Sequence, residues 1–187
     1  MSQKNGVLIL GEVFAGILSP HTHEMFTAGL ELSEKLGEPL TLALLGSMFE
    51  EVEPYLESLD SSITVTWHEV EEEEPFPYMA WKDVAADVVA GQPWRAVISP
   101  GTGIGVDWTP RVAARLGLPL ASWGTGVDVI DGRIAVSRDV LGGRAETQVS
   151  SDADATFMIA LEPGMIEPTD IGTAEALTLA DVFAEFA

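Results

Sequence analysis

The chain has 187 residues, 47% of them hydrophobic, and a formal net charge of −21 at pH 7. This length and composition fit a single globular domain with a substantial core rather than a disordered chain. The charge opposes binding to DNA, RNA and anionic lipid, all of which rely on Lys and Arg to neutralise phosphates. With no cysteine in the chain, disulfides, thiolate nucleophiles, cysteine-ligated zinc and cysteine-held iron–sulfur clusters are excluded as well.

The N-terminal MSQKNGVLILGEV carries only a short apolar run that soon meets Glu12, without the hydrophobic length or cleavage pattern of a signal peptide. No stretch approaches the roughly 18 apolar residues of a membrane helix. A cytoplasmic protein is the expectation. Val7–Leu10 reads as a strand closed by Gly11. A helix follows with Thr22 as its cap, an apolar stripe of Met25, Phe26, Leu30, Leu32 and Leu36, and Gly37 as its stop. Leu40–Leu45, ending at Gly46, is a second strand; Phe49–Leu59 is a short helix and Ile63–Trp67 a third strand.

The run EVEEEEPFP is a solvated loop, because like charges repel and prolines forbid regular structure. A helix over about Tyr78–Ala90 turns Met79, Val84, Val88 and Val89 inward, and Ala96–Ser99 is the fourth strand. After the loop that follows, Thr109 is expected to cap a helix with Pro110 in its first turn and Gly117 at its end. In the last third, VDVIDGRIAV sets two alternating apolar runs around Asp131-Gly132, a hairpin signature. RAETQVSS and TFMIALEPG are two more strands. The tail TAEALTLADVFAEFA reads as a helix presenting Leu177, Leu179, Val182, Phe183 and Phe186.

Alternating strands and helices imply a parallel sheet covered on both faces. The fold class is therefore α/β, a three-layer α/β/α sandwich with a mainly parallel sheet and an antiparallel hairpin at the edge. Residues 1–168 form the domain and 169–187 a tail helix.

The stretch ISPGTGIGVDWTPRVAARLG, residues 98–117, places glycines at 101, 103 and 105 where a strand hands over to a helix. Open α/β sheets bind ligands at the carboxyl ends of their strands, and a helix N-terminus favours an anion. Against a phosphate cradle, the spacing is neither the GxGxxG dinucleotide pattern nor a P-loop with its Lys-Ser/Thr pair, and Asp107 adds a negative charge. A ligand contact and a tight turn both remain open. Arg111 and Arg115, four apart, share a helix face that can grip a carboxylate, a phosphate or the chain's own acids.

Elsewhere, His21 and His23 stand at i, i+2 beside Glu24, a spacing that fits capping or exposure better than a metal site. His68 next to the acidic run is expected to pair locally. Ser99, Ser122 and Ser137 have no nucleophile-elbow context, and no catalytic or metal-ligating residue is assigned. Trp108 and Trp123 are the tryptophans placed to line a cofactor or partner surface.

Residues 99–164 resemble the N-terminal domain of electron transfer flavoprotein alpha subunits. That family follows a strand with a turn of the kind G-A-T-x-x-G-x-D-L-x-P-R-x-A-A-x-L, then a hairpin, an Arg-containing strand, a Y-x-G turn and a strand ending in R-P-G. Gly101, Thr102, Gly105, Asp107, Pro110, Arg111, Ala113, Ala114 and Leu116 match the first part. Arg138, Gly142, Gly143, Ala145 and Pro163-Gly164 match the second. The N-terminal half agrees more loosely, through GEVFAGIL and HEMFTAGLELSEKLG. Leu141 replaces the aromatic of the Y-x-G turn, and Glu162 the Arg of R-P-G.

The resemblance implies an adenine nucleotide alpha hydrolase-like fold. Its candidate cofactor contacts are Gly101, Thr102, Gly103, Gly105, Asp107, Arg111, Arg138, Gly142 and Gly143. In the family, a second domain beyond this region carries most of the FAD contacts. The implied role is thus an alpha-like scaffold and docking half of a flavin-based electron-transfer complex. FAD is expected in that complex but not in this chain alone. The expected partners are a beta-like subunit, a flavin-bearing domain or chain, and a dehydrogenase or other redox protein. The related beta subunits place a nucleotide in a comparable crevice, which keeps AMP as an alternative ligand. A stand-alone nucleotide- or flavin-binding module and a non-redox assembly or regulatory protein are the competing readings.

Overall fold

The computed structural model describes residues 5–56, 59–70, 78–152 and 154–168. The chain begins with β1 (Val7–Phe14), turns back at Ala15 and Gly16 into the two-residue β2 (Ile17–Leu18), and enters α1 (Pro20–Leu36). Next come β3 (Leu40–Gly46), a 3-10 turn at Phe49–Glu51, α2 (Glu53–Leu56), β4 (Thr64–Glu69), α3 (Tyr78–Ala90) and β5 (Ala96–Pro100). The last part comprises α4 (Gly105–Leu116), β6 (Leu120–Gly124), β7 (Gly126–Ile130), β8 (Arg133–Val140), β9 (Ala145–Ser150) and β10 (Phe157–Leu161). The tail read as a helix lies outside the described residues.

The main sheet has the order β4-β3-β1-β5-β10-β6, and every pairing along it is parallel. Its central strands are apolar at consecutive positions because both of their faces are covered. On one face Val7 and Ile9 pack with Met25, Phe26 and Leu32 of α1. On the other, Leu8 and Leu10 pack with Trp81, Ala85 and Val89 of α3 and with Trp108 and Val112 of α4. The antiparallel strands form their own sheet, β7-β8-β9, which contributes Ile134 and Val136 to the core on the α1 side. Lys35 of α1 donates to Asp128 of β7 at 2.8 Å, and Arg95 to the Gly132 carbonyl at 3.3 Å.

Several local signals act as read. Gly37 and Gly117 end α1 and α4 in the left-handed conformation, each with φ 65°. Asp131 and Gly132 both have positive φ, the requirement of the two-residue turn between β7 and β8. No helix among the described residues is long and apolar enough to cross a membrane.

Other elements differ from expectation for identifiable reasons. β1 does not stop at Gly11: a Cβ there would lie 2.6 Å from a Leu44 methyl and 2.7 Å from that of Thr22, so the glycine makes room for neighbours. α1 begins at Pro20 after Ser19, while Thr22 is buried and accepts a hydrogen bond from the Glu12 N–H. α4 begins at Gly105, so Thr109 and Pro110 lie inside it. In α3 the fully buried set is Trp81, Ala85, Ala86 and Val89, and Val84 and Val88 pack partly buried against the same cluster as expected, whereas Met79 is 43% exposed. The Phe49–Leu59 segment divides into the 3-10 turn and α2.

Gly46 has the least freedom. Its φ is 144°, and a Cβ would stand 1.8 Å from the Val13 carbonyl oxygen across the β1–β3 pairing. Gly46→Ala should destabilise the protein by more than about 3 kcal/mol, read as a lower urea midpoint with an unchanged m-value.

Candidate functional site

The connections diverge between β1 and β5: α1 carries the chain from β1 to β3 on one side, and α3 returns it to β5 on the other. Such a switch point is where open α/β sheets place ligands. The β1–β5 pairing ends at Ile9 and Ile98. Beyond that pair the strands part, and Glu12 and Thr102 meet across the gap.

Glu12 has no solvent-accessible surface. Its N–H donates to Thr22 Oγ1 at 3.0 Å, its carbonyl accepts from the Ser19 N–H at 2.9 Å, and its Oε1 accepts from the Thr102 hydroxyl at 2.9 Å. Oε2 and the Trp108 indole nitrogen have no hydrogen-bond partner among the described residues. Burial pushes the Glu12 pKa up from 4.5 to about 7, opposed by the Thr102 hydroxyl, which favours the ionised form. A wholly buried carboxylate with one bare oxygen is costly, so the neutral acid is preferred up to about pH 7.

Thr102 serves two elements at once. While donating to Glu12, its Oγ1 accepts the Gly105 N–H at 3.1 Å and its carbonyl accepts the Val106 N–H at 3.0 Å. Thr102, not Thr109, therefore supports the first turn of α4. Thr109 is fully buried and its hydroxyl has no partner among the described residues.

The three glycines of the loop differ. The Gly101 N–H donates to the Leu161 carbonyl at 2.8 Å, and a Cβ on Gly101 would lie 2.4 Å from that oxygen. A Cβ on Gly105 would lie 2.3 Å from the Pro100 oxygen, whereas one on Gly103 meets nothing within 4 Å. Gly101 and Gly105 thus permit close approach of the chain to itself, and Gly103 faces open space.

The expected cofactor residues fall into two groups. Gly101, Thr102, Gly103 and Gly105 form the loop, with exposed Asp107 and Arg111 on α4, where the Arg111 Nε donates to the Asp107 carbonyl at 3.0 Å. Arg138 lies on β8, and Gly142 and Gly143 in the β8–β9 turn of the separate small sheet. Trp108, expected at a surface, is core; Trp123 is half exposed. His21 Nδ1 pairs with Glu24 Oε1 at 3.1 Å, and Glu24 Oε2 accepts the Gly164 N–H at 2.7 Å. His68 Nε2 lies 3.0 Å from Thr66 Oγ1, and burial lowers its pKa.

Glu12 was not legible as a site residue, although the signal was present: a lone carboxyl inside the apolar strand VLILGEVF. Between pH 4.5 and about 7 the folded chain keeps a proton that the unfolded chain has lost. Stability therefore falls as pH rises through that window, by on the order of 3 kcal/mol, and levels off above it. Glu12→Gln retains an acceptor for Thr102 and cannot ionise. Denaturation from pH 4 to 8 should show the parent losing that stability relative to the variant; a pH-independent difference contradicts the assignment. Along the loop, Gly101→Ala and Gly105→Ala should each cost about 2 kcal/mol or more and Gly103→Ala less than about 0.5, compared by thermal unfolding.

Comparison with known proteins fits this architecture. The chain is 27% identical over 164 residues to Protein FixB of Clostridium saccharobutylicum, an alignment covering 87% of this chain and 48% of the relative. It is 28% identical over 171 residues to the electron transfer flavoprotein subunit alpha of Clostridium acetobutylicum, covering 90% of this chain and 51% of the relative. It is 27% identical over 172 residues to the protein of that name in Bacillus subtilis, covering 91% and 51%. The chain thus spans about half the length of these relatives. A family match running over residues 7–185, from β1 through every later described element, shows that the chain belongs to the electron transfer flavoprotein domain family.

Proposed function

We propose that this chain is an alpha-type scaffold of a flavin-based electron-transfer complex, with residues 1–168 docking against a beta-like subunit and FAD held mainly by another chain or domain. The observation that supports this reading most is the occupation of the switch-point crevice by the chain's own groups. Glu12 and Thr102 bridge it, Gly101 and Gly105 are closed against backbone carbonyls, and Asp107 stands in the first turn of α4.

On this reading Gly101, Thr102 and Gly105 act by shaping the loop. Gly103, Asp107 and Arg111 on one side, and Arg138, Gly142 and Gly143 on the small sheet, touch the cofactor or partner. The chain contributes surface and orientation to electron transfer rather than catalysis. The test is expression of the chain alone and together with a beta-like subunit. The expected result is a colourless product alone, without heat on titration with AMP, and a stable flavin-absorbing complex with the partner. A yellow product in the absence of the partner, or a chain that ignores the beta-like subunit, overturns the proposal.

A further inference from the structure

The segments that leave the carboxyl ends of three neighbouring parallel strands, β5, β10 and β6, carry exposed apolar side chains. Val106 lies in the first turn of α4 after β5, Met165 in the segment following β10, and Trp123 next to last in β6; they are 38%, 48% and 50% exposed. Trp123 is the most informative. Its φ is 57°, a left-handed conformation that a bulky side chain rarely adopts. The β6–β10 register shifts between Ile159 and Leu161, so Trp123 sits in a bulge, and the Gly124 carbonyl beyond it accepts the Glu162 N–H at 2.8 Å. Pairing on both sides holds the strained residue with half of its indole in solvent. Strain of this kind persists where the surrounding structure enforces it and commonly marks a site of use.

The sequence supplies an occupant. Residues 169–187 follow within a few positions of Met165. They place Leu179, Val182, Phe183 and Phe186 at i, i+3, i+4 and i+7, the spacing of one apolar helical stripe. A helix over 173–187 would be about 22 Å long, ample to cover a rim of three strands spanning about 10 Å. We propose that this segment docks along the carboxyl edge over Val106, Met165 and Trp123. The segment carries Asp170, Glu175, Asp181 and Glu185 and no Lys or Arg, on a body with net charge −21 for the whole chain. Docking is therefore driven by apolar burial against charge repulsion, and salt tightens it by screening. It requires neither a flavin nor a second subunit, so it stands apart from the electron-transfer reading.

The test uses the full chain and acrylamide, an uncharged quencher, with the Trp123 contribution taken as the difference from Trp123→Phe. Replacing Phe183→Ser and Phe186→Ser together should raise the Trp123 quenching constant at least twofold at low salt. Added 1 M NaCl should reduce quenching in the parent and leave the double variant unchanged. Equal quenching in parent and variant overturns the proposal. Shielding that disappears on dilution also overturns it, in favour of a second copy as the occupant. As a second reading, Trp123→Gly relieves the backbone strain and removes the apolar seat; chymotrypsin cleavage after Phe183 and Phe186 should then accelerate several-fold, and an unchanged rate counts against docking.

Discussion

Glu12 and Thr102 join the two halves of the sheet at the point where their connections diverge, and much else at that edge follows from this contact. The Glu12 backbone is fixed by Thr22 and Ser19 at the start of α1, and its side chain is fixed by Thr102 at the start of α4. Helices on opposite faces are thereby referenced to one residue of β1. The arrangement uses a single acceptor oxygen and leaves the other bare in an apolar setting, which is why the proton remains on the carboxyl well above its ordinary range. The burial that places Glu12 at the centre of the edge therefore also makes stability sensitive to pH, and the Thr102 hydrogen bond acts against the shift.

Much of the fold was legible because its signals are local or compositional. Continuous apolar runs such as FMIAL announce strands buried on both faces, Gly37 and Gly117 announce helix ends, and Asp131-Gly132 announces a hairpin. What was hidden is non-local. Nothing in the run FMIAL states that β10 enters between β5 and β6, since that position is decided by pairing with strands distant in sequence. Pro110 looks like a first-turn residue, yet α4 starts five residues earlier because Thr102 supports its opening turn. Gly11 looks like a stop until the side chains of Leu44 and Thr22 are seen to occupy the space where its Cβ would lie.

The candidate site was legible in location and not in content. Its position follows from the alternation of strands and helices, and the glycines at 101, 103 and 105 mark it in the sequence. Its chemistry depends on which atoms fill the gap, and those come from Glu12, some 90 positions away from Thr102. Evenly spaced glycines suggest a cradle, but two of the three are explained by contacts with Leu161 and Pro100 within the chain.

A crevice closed by its own carboxyl and backbone shifts the useful surface outward. The amides at the start of α4 that would grip an anion are partly engaged, with Gly105 and Val106 donating to Thr102. Their field is also opposed by Asp107. Beside the exposed Asp107 and Arg111, the same edge turns the apolar Val106, Met165 and the strained Trp123 to solvent. Apolar area without a polar grip suits a polypeptide better than a phosphate. A domain built this way keeps the geometry of a ligand-binding sheet while its rim is suited to being covered by a polypeptide segment.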